Sequence, residues 1–246
     1  MPGAPLIEVT KLVKRFGPKV VLRNLDFSVE QGEFVALLGP NGAGKTTFLR
    51  ILSSLSSPTM GRVRVAGHDL PRQASAVRQS LGVVSHMPLL YGDLTAEENL
   101  LFYGRMYGVR ALEKRIAEVL ELVGLAARRR DLVRTFSRGM QQRLAIGRAI
   151  IHDPEVLLLD EPHTGLDQDA CAMLDTVLKQ VASRGRTLVM TSHDLSRVED
   201  LASRFDVLTR GVICASANRS DLPRDGLLAF YRLSLEAAPQ NAGAAQ

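Results

Sequence analysis

A chain of 246 residues is long enough to bury one substantial core, or a main domain with a lobe packed beside it. Its 31 basic and 26 acidic side chains leave a net charge of only +5. That is too mild for a nucleic-acid partner, which calls for a clustered basic stripe.

The opening MPGAPLIEV has neither the basic stretch nor the apolar run of a secretory signal. No uncharged apolar run approaches the roughly 18 residues of a membrane span. Cys171 and Cys214 lie far apart without metal-ligand spacing, so the expectation is a free-thiol cytosolic chain. LIEVTKLV alternates in strand fashion, turns at Phe16-Gly17-Pro18 and returns as VVLRNLDFSVE, which predicts a small N-terminal antiparallel sheet. EFVALLG (33–39) is an apolar strand, followed by a glycine-rich turn and a helical run over 45–55. GRVRVAG (61–67) and LGVVS (81–85) add two further strands.

From Thr95 to Ile151 the period becomes helical. It opens with the capping-box spacing of Thr95 and Glu98, continues through ALEKRIAEVLELVGL, and ends in SRGMQQRLAIGRAII. The run Arg128, Arg129 and Arg130 between these helices reads as a solvated helix end, or as a contact for lipid headgroups or a partner. Strand and helix then alternate: EVLLLD (155–160), DQDACAMLDTVLKQVASRG, RTLVMTS (186–192), LSRVEDLAS and RFDVLTRG. The expected fold is α/β: a mostly parallel sheet with helices on both faces, an N-terminal antiparallel β-subdomain and an inserted helical lobe at about 95–150. A single domain over 1–235 and a flexible Ala/Gln-rich tail at 236–246 complete the expectation.

GPNGAGKTT (39–47) fits the spacing G-x-x-x-x-G-K-[ST]. Backbone N–H groups at a strand-to-helix turn can wrap phosphate oxygens only where side chains do not intrude, and Gly39, Gly42 and Gly44 meet that need. Pro40, Asn41, Ala43 and Thr47 complete the loop, Lys45 supplies a point charge between the β- and γ-phosphates, and Thr46 offers its hydroxyl to Mg²⁺. In VLLLDE (156–161) an apolar strand delivers Asp160 at its carboxyl end, where ligands of open α/β sheets bind. Asp160 is placed to hold Mg²⁺ and Glu161 to orient and polarise an attacking water. The plainer alternatives are a structural glycine turn and an acidic helix cap; the two motifs together favour a P-loop nucleotidase.

The segment TFSRGMQQRLAIGRAI (135–150) resembles the ATP-binding subunit of an ABC transporter, whose Ser-x-Gly signature opens a helix just before the Asp-Glu strand. Ser137, Gly139, Gln142 and Arg143 match; Phe136, Arg138 and Met140 depart from the commoner Leu-Ser-Gly-Gly-Gln. The resemblance runs from about residue 6 to 215. It implies ATP and Mg²⁺ as cofactors and a head-to-tail dimer, in which Ser137, Arg138, Gly139 and Met140 of one copy close on ATP held by the other. It further implies that Asp167 lies across the dimer interface, that His193 contacts the γ-phosphate and the catalytic Glu161, and that Phe16 stacks on adenine. Lys45, Glu161 and His193 are then the catalytic residues, and Thr46 and Asp160 the metal ligands.

In that family a glutamine ligates Mg²⁺ from a loop lying under the membrane permease. Here no glutamine occurs between Gln79 and Gln141, and His86 or, one residue later, Met87 takes its place. An imidazole can also coordinate a metal, so His86 is expected to keep part of that role. The permease is expected to meet the 85–95 loop, which puts the chain at the cytoplasmic face of the membrane as a peripheral subunit. SHMPLLYGDLTAEENLLFYGRMYGV (85–109) is similar to the ATP-binding subunit of the haem exporters of cytochrome c maturation, so haem is the expected cargo. Drug, lipid and polysaccharide exporters share the D-L-T-x-x-E-N-L run and stand as the alternative, with a non-transport ABC ATPase as the remaining reading.

Overall fold

The computed structural model describes residues 5–85 and 87–237. Residues 1–4, His86 and residues 238–246 lie outside the described residues. The chain begins with β1 (Ile7–Phe16), β2 (Lys19–Val29) and β3 (Phe34–Leu38), then α1 (Lys45–Leu52), β4 (Met60–Val65) and β5 (His68–Leu70). It continues with α2 (Ala74–Ser80), β6 (Leu81–Val84), α3 (Ala96–Met106), α4 (Leu112–Leu122) and α5 (Arg138–Ile150). The last stretch is β7 (Val156–Asp160), α6 (Gln168–Ser183), β8 (Thr187–Thr191), α7 (Leu195–Glu199), β9 (Arg204–Thr209), β10 (Val212–Asn218) and α8 (Gly226–Ala237).

Two sheets result. β2-β1-β4-β5 is antiparallel, and β10-β9-β3-β8-β7-β6 is parallel except for β10 at one edge. Every residue of β3, β7 and β8 is buried, as a strand covered on both faces requires. The strand period of two divides these residues between two cores. Phe34, Ala36 and Leu38 join Leu100, Ile146 and Leu178 of the α3-to-α8 side. Val35 and Leu37 join Phe48 and Ile51 of α1 and Leu12, Leu25 and Val63 of the antiparallel sheet. The fold is therefore the expected α/β arrangement, with the antiparallel sheet and α1 on one face and the helical lobe on the other.

Within the lobe, the capping box is formed: Thr95 Oγ1 accepts from the Glu98 N–H at 3.1 Å, and Glu98 accepts from the Thr95 N–H at 2.8 Å. Fully buried Asn99 accepts from the Tyr91 N–H and donates to the Tyr91 and Thr95 carbonyls, fixing the preceding loop to α3. On the terminal strand β6, the Val83 carbonyl accepts from Arg148 at 2.6 Å and the Leu81 carbonyl from His152 Nε2 at 3.0 Å. Of the basic run, Arg128 pairs with Asp131 at 2.9 Å and Arg129 with Glu97.

Four elements have no counterpart in the sequence reading: β5, α2, β10 and α8. The tail expected from 236 onward starts inside α8, since Glu236 and Ala237 are helical. Among the described residues, no helix is long and apolar enough to cross a membrane.

Candidate functional site

β3 ends at Leu38 and α1 starts at Lys45, so the loop between them opens at the carboxyl end of the sheet's interior strand. Gly39 has φ 149°, and a Cβ there would collide with the Leu208 carbonyl oxygen of β9. Gly44, at φ 114°, directly precedes α1, and a Cβ would sit 2.8 Å from Leu22 Cδ2. Both positions admit only glycine, and both bring backbone close to the positive end of α1.

Lys45 is buried; its Nζ donates to the Gly39 carbonyl at 2.7 Å and the Pro40 carbonyl at 3.4 Å, and lies 3.9 Å from Glu161 Oε1. Burial pulls its pKa below the usual lysine value, while the nearby Glu161 and Asp160 carboxylates work against that shift.

Asp160 closes β7 opposite Thr191 of β8. Its Oδ1 accepts from Thr191 Oγ1 at 2.7 Å and from Thr46 Oγ1 at 3.2 Å. Glu161 follows at φ 51°, a left-handed conformation uncommon outside glycine. Its N–H is held by the Thr191 carbonyl at 3.2 Å and Thr191 Oγ1 at 3.0 Å. The bend turns its carboxylate toward His193, whose Nδ1 lies 2.7 Å from Oε2. His193 itself is 65% exposed.

His193 borders a small cleft with Gly39, Pro40 and Asn41. Lys45, Thr46 and Glu161 border a larger one of about 720 Å³, lined also by Phe16 and the rest of residues 40–47. Phe16 is half-exposed, with Lys14 Nζ 4.7 Å from its ring centroid. Lys19, Val20, Val21, Arg23 and Arg210 also line it, and none of them was anticipated from sequence. Thr191 was missed as well. Its signal was a hydroxyl closing β8 directly before Ser192 and His193.

Ser137, Arg138, Gly139, Met140 and Asp167 do not line this cleft. Ser137 caps α5, its Oγ accepting from the Met140 N–H at 3.3 Å, and Asp167 caps α6, accepting from the Ala170 N–H at 2.7 Å. The two caps adjoin, because a Cβ at Gly139 would lie 2.6 Å from Ala170 Cβ. Arg138 packs on Gly165 and, with Gln142, Glu161 and Pro88, borders a separate cleft of about 350 Å³. Arg143 instead points inward, donating to the Val123 and Gly124 carbonyls at 3.0 and 3.1 Å. His86 lies outside the described residues.

Residues 22–164 match the family described as ABC transporter. The linearmycin resistance ATP-binding protein of Bacillus subtilis (strain 168) is 40% identical over 220 residues, covering 88% of this chain and 70% of that protein. The Nod factor export ATP-binding protein I of Paraburkholderia xenovorans (strain LB400) is 40% identical over 213 residues, 86% of this chain and 70% of that protein. Among solved structures, the ATP-binding subunit of an ABC transporter superposes with a TM-score of 0.84 at 29% identity, over 94% of this chain and 99% of its own. A dimeric ATP-binding cassette in a post-hydrolysis state with ADP and Pi gives 0.77 at 26% identity, over 87% and 98%. The two relatives are named for linearmycin resistance and Nod factor export, and the expectation of haem as cargo finds no support in those names. The chain belongs to the ABC transporter family, as an ATP-binding, ATP-hydrolysing subunit.

Proposed function

We propose that two copies of this chain close head to tail around two ATP molecules and that hydrolysis drives export through separate membrane subunits. One observation carries this reading. Lys45, Thr46 and Glu161 line the phosphate-loop cleft and bond on to Asp160 (from Thr46) and His193 (from Glu161), while Ser137, Gly139 and Asp167 lie outside it. A second copy supplies them to the first copy's ATP, and the dimeric neighbour with ADP and Pi supports that arrangement.

In this reading Phe16 stacks on the base and the loop from Gly39 to Thr47 wraps the phosphates. Lys45 exchanges its carbonyl partners for the β- and γ-phosphate oxygens. Glu161 orients the attacking water and draws its proton, and His193, with Nδ1 bonded to Glu161, leaves Nε2 for the γ-phosphate. Thr46 Oγ1 and Asp160 Oδ1, already 3.2 Å apart, are hard oxygen donors that would hold Mg²⁺. When bound, Mg²⁺ neutralises charge developing between the β- and γ-phosphates. His86 is proposed as a further ligand from the 85–95 loop.

The lobe offers a surface for the membrane subunits. Met87, Leu89, Tyr91, Phe102 and Met106 are all large apolar side chains left exposed around the loop and the outer face of α3. Such a contact makes the chain a peripheral subunit at the cytoplasmic face. For cargo, the relatives' names favour a linearmycin- or Nod-factor-like export substrate over haem. Haem is the second reading, resting on residues 85–109, and bound haem in the co-purified membrane subunits decides between the two.

Replacing Glu161 with Gln removes the base and keeps the shape. Glu161→Gln is expected to abolish turnover and to trap an ATP-bound dimer, visible as doubled mass in light scattering with ATP. A variant that hydrolyses at the normal rate refutes the assignment.

A further inference from the structure

Glu161 and His193 touch directly, but each sits on its own loop, and a second connection joins those loops from behind. His163, two residues after Glu161, is buried, and its Nε2 lies 2.6 Å from Asp175 Oδ1 on α6. The other oxygen of Asp175 accepts from Arg197 NH1 at 3.4 Å. Arg197 lies on α7, the helix that starts just after His193, and its Nε is 3.3 Å from Asp194 Oδ2. The path from Glu161 through His163, Asp175, Arg197 and Asp194 to His193 therefore closes into a ring, completed by the 2.7 Å contact between His193 and Glu161.

We infer that the His163–Asp175–Arg197 relay is a positioning device that sets Glu161 against His193 for hydrolysis. The inference rests on the catalytic reading of those two residues. Three features argue for positioning over simple packing. The relay is assembled from three separate elements, and it ties together the two loops that carry Glu161 and His193. Its central carboxylate is shared, one oxygen to each loop, so a shift of either loop breaks a charge-assisted bond. The segment it anchors includes Glu161 in a left-handed backbone conformation, which persists only where the surroundings hold it. His163 Nδ1 is buried and has no hydrogen-bond partner among the described residues, so the ring is held by Asp175 through Nε2.

The test is steady-state ATP turnover by the full chain with Mg²⁺, comparing His163→Ala, His163→Gln, His193→Ala and the His163→Ala/His193→Ala pair, with Glu161→Gln as reference. A mispositioned base lowers kcat by roughly tenfold or more while KM for ATP stays within about twofold. His163→Gln, whose amide N–H can still donate to Asp175, recovers most of the lost kcat. The double variant is no slower than His193→Ala alone, because His163 acts through that contact. Unchanged kcat in His163→Ala, a matching loss in KM, or losses that multiply in the double variant each overturn the relay, provided Glu161→Gln is inactive. Normal turnover by Glu161→Gln instead overturns the catalytic reading beneath it.

Discussion

One hydroxyl, Thr191 Oγ1, serves both acidic residues of the site: it donates to Asp160 Oδ1 at 2.7 Å and accepts from the Glu161 N–H at 3.0 Å. Thr191 is fully buried, so water cannot replace either bond. Thr191→Val keeps the shape and removes the hydroxyl. We expect it to lower stability by roughly 1–3 kcal/mol and turnover by about tenfold, with Thr191→Ser close to normal. Thermal melts and turnover rates check both, and equal behaviour of Val and Ser rules out the bridging role. The phosphate loop, Asp160 and Glu161 stand out in the sequence because their pattern is local, glycines at a tight turn and charges just past an apolar strand, whereas His193 stands out only through the family resemblance. Thr191, Lys19 and Arg23 do not, because strand register sets Thr191 against Asp160 and the fold of a separate sheet brings Lys19 and Arg23 to the cleft.

Among the elements, α5 does two jobs: Ser137 opens it at the signature, and its far end covers the terminal strand β6. There His152 bonds the Leu81 carbonyl and stacks on Tyr107, with ring centroids 3.8 Å apart and planes 5° from parallel. Burial lowers its pKa to about 4, and the neighbouring Arg148 and Arg115 act in the same direction. The folded chain thus keeps His152 neutral where the unfolded chain, near 6.5, takes up a proton. Stability is full above pH 6.5 and falls as the pH drops toward 4, by about 2 kcal/mol between pH 7.5 and 5. His152→Gln keeps a donor for Leu81 and removes this titration. Urea midpoints at the two pH values are expected to fall further in the native chain than in the variant, and equal falls dismiss the assignment. Strong periodicity made α3, α5 and α6 legible. α2 buries only Val77 and α8 only Leu227 and Ser234, so neither carries an apolar stripe that sequence can register.

For the whole molecule, the sequence pattern reached the fold and the split between the cleft and the signature, because both follow from motif order along one chain. Cargo was not legible, since in the proposed reading it is recognised by other subunits and leaves no chemistry on this one. What the chain does carry is the exposed apolar surface proposed to face those subunits. Phe102 and Met106 lie one turn apart on α3, 41% and 66% exposed, and Tyr91 reaches across from the loop to within 5.1 Å of the Phe102 ring centroid. The loop cannot drift from this position, because Asn99 bonds both backbone groups of Tyr91, and the Tyr103 hydroxyl donates to the Leu89 carbonyl at 2.6 Å. A preformed apolar ledge of this kind favours a partner that docks without reordering it. Phe102→Glu/Met106→Glu places two charges on the ledge and leaves the phosphate loop, the signature, Asp160, Glu161 and His193 unchanged. In isolation the variant is expected to fold and hydrolyse ATP within about twofold of normal, since exposed substitutions shift stability by only about 0.5 kcal/mol. With the membrane subunits co-expressed, burying two unpaired carboxylates opposes docking, and recovery of the complex is expected to fall at least tenfold. Pull-down from detergent-solubilised membranes measures it; undiminished recovery moves the permease contact away from α3 and the 85–95 loop.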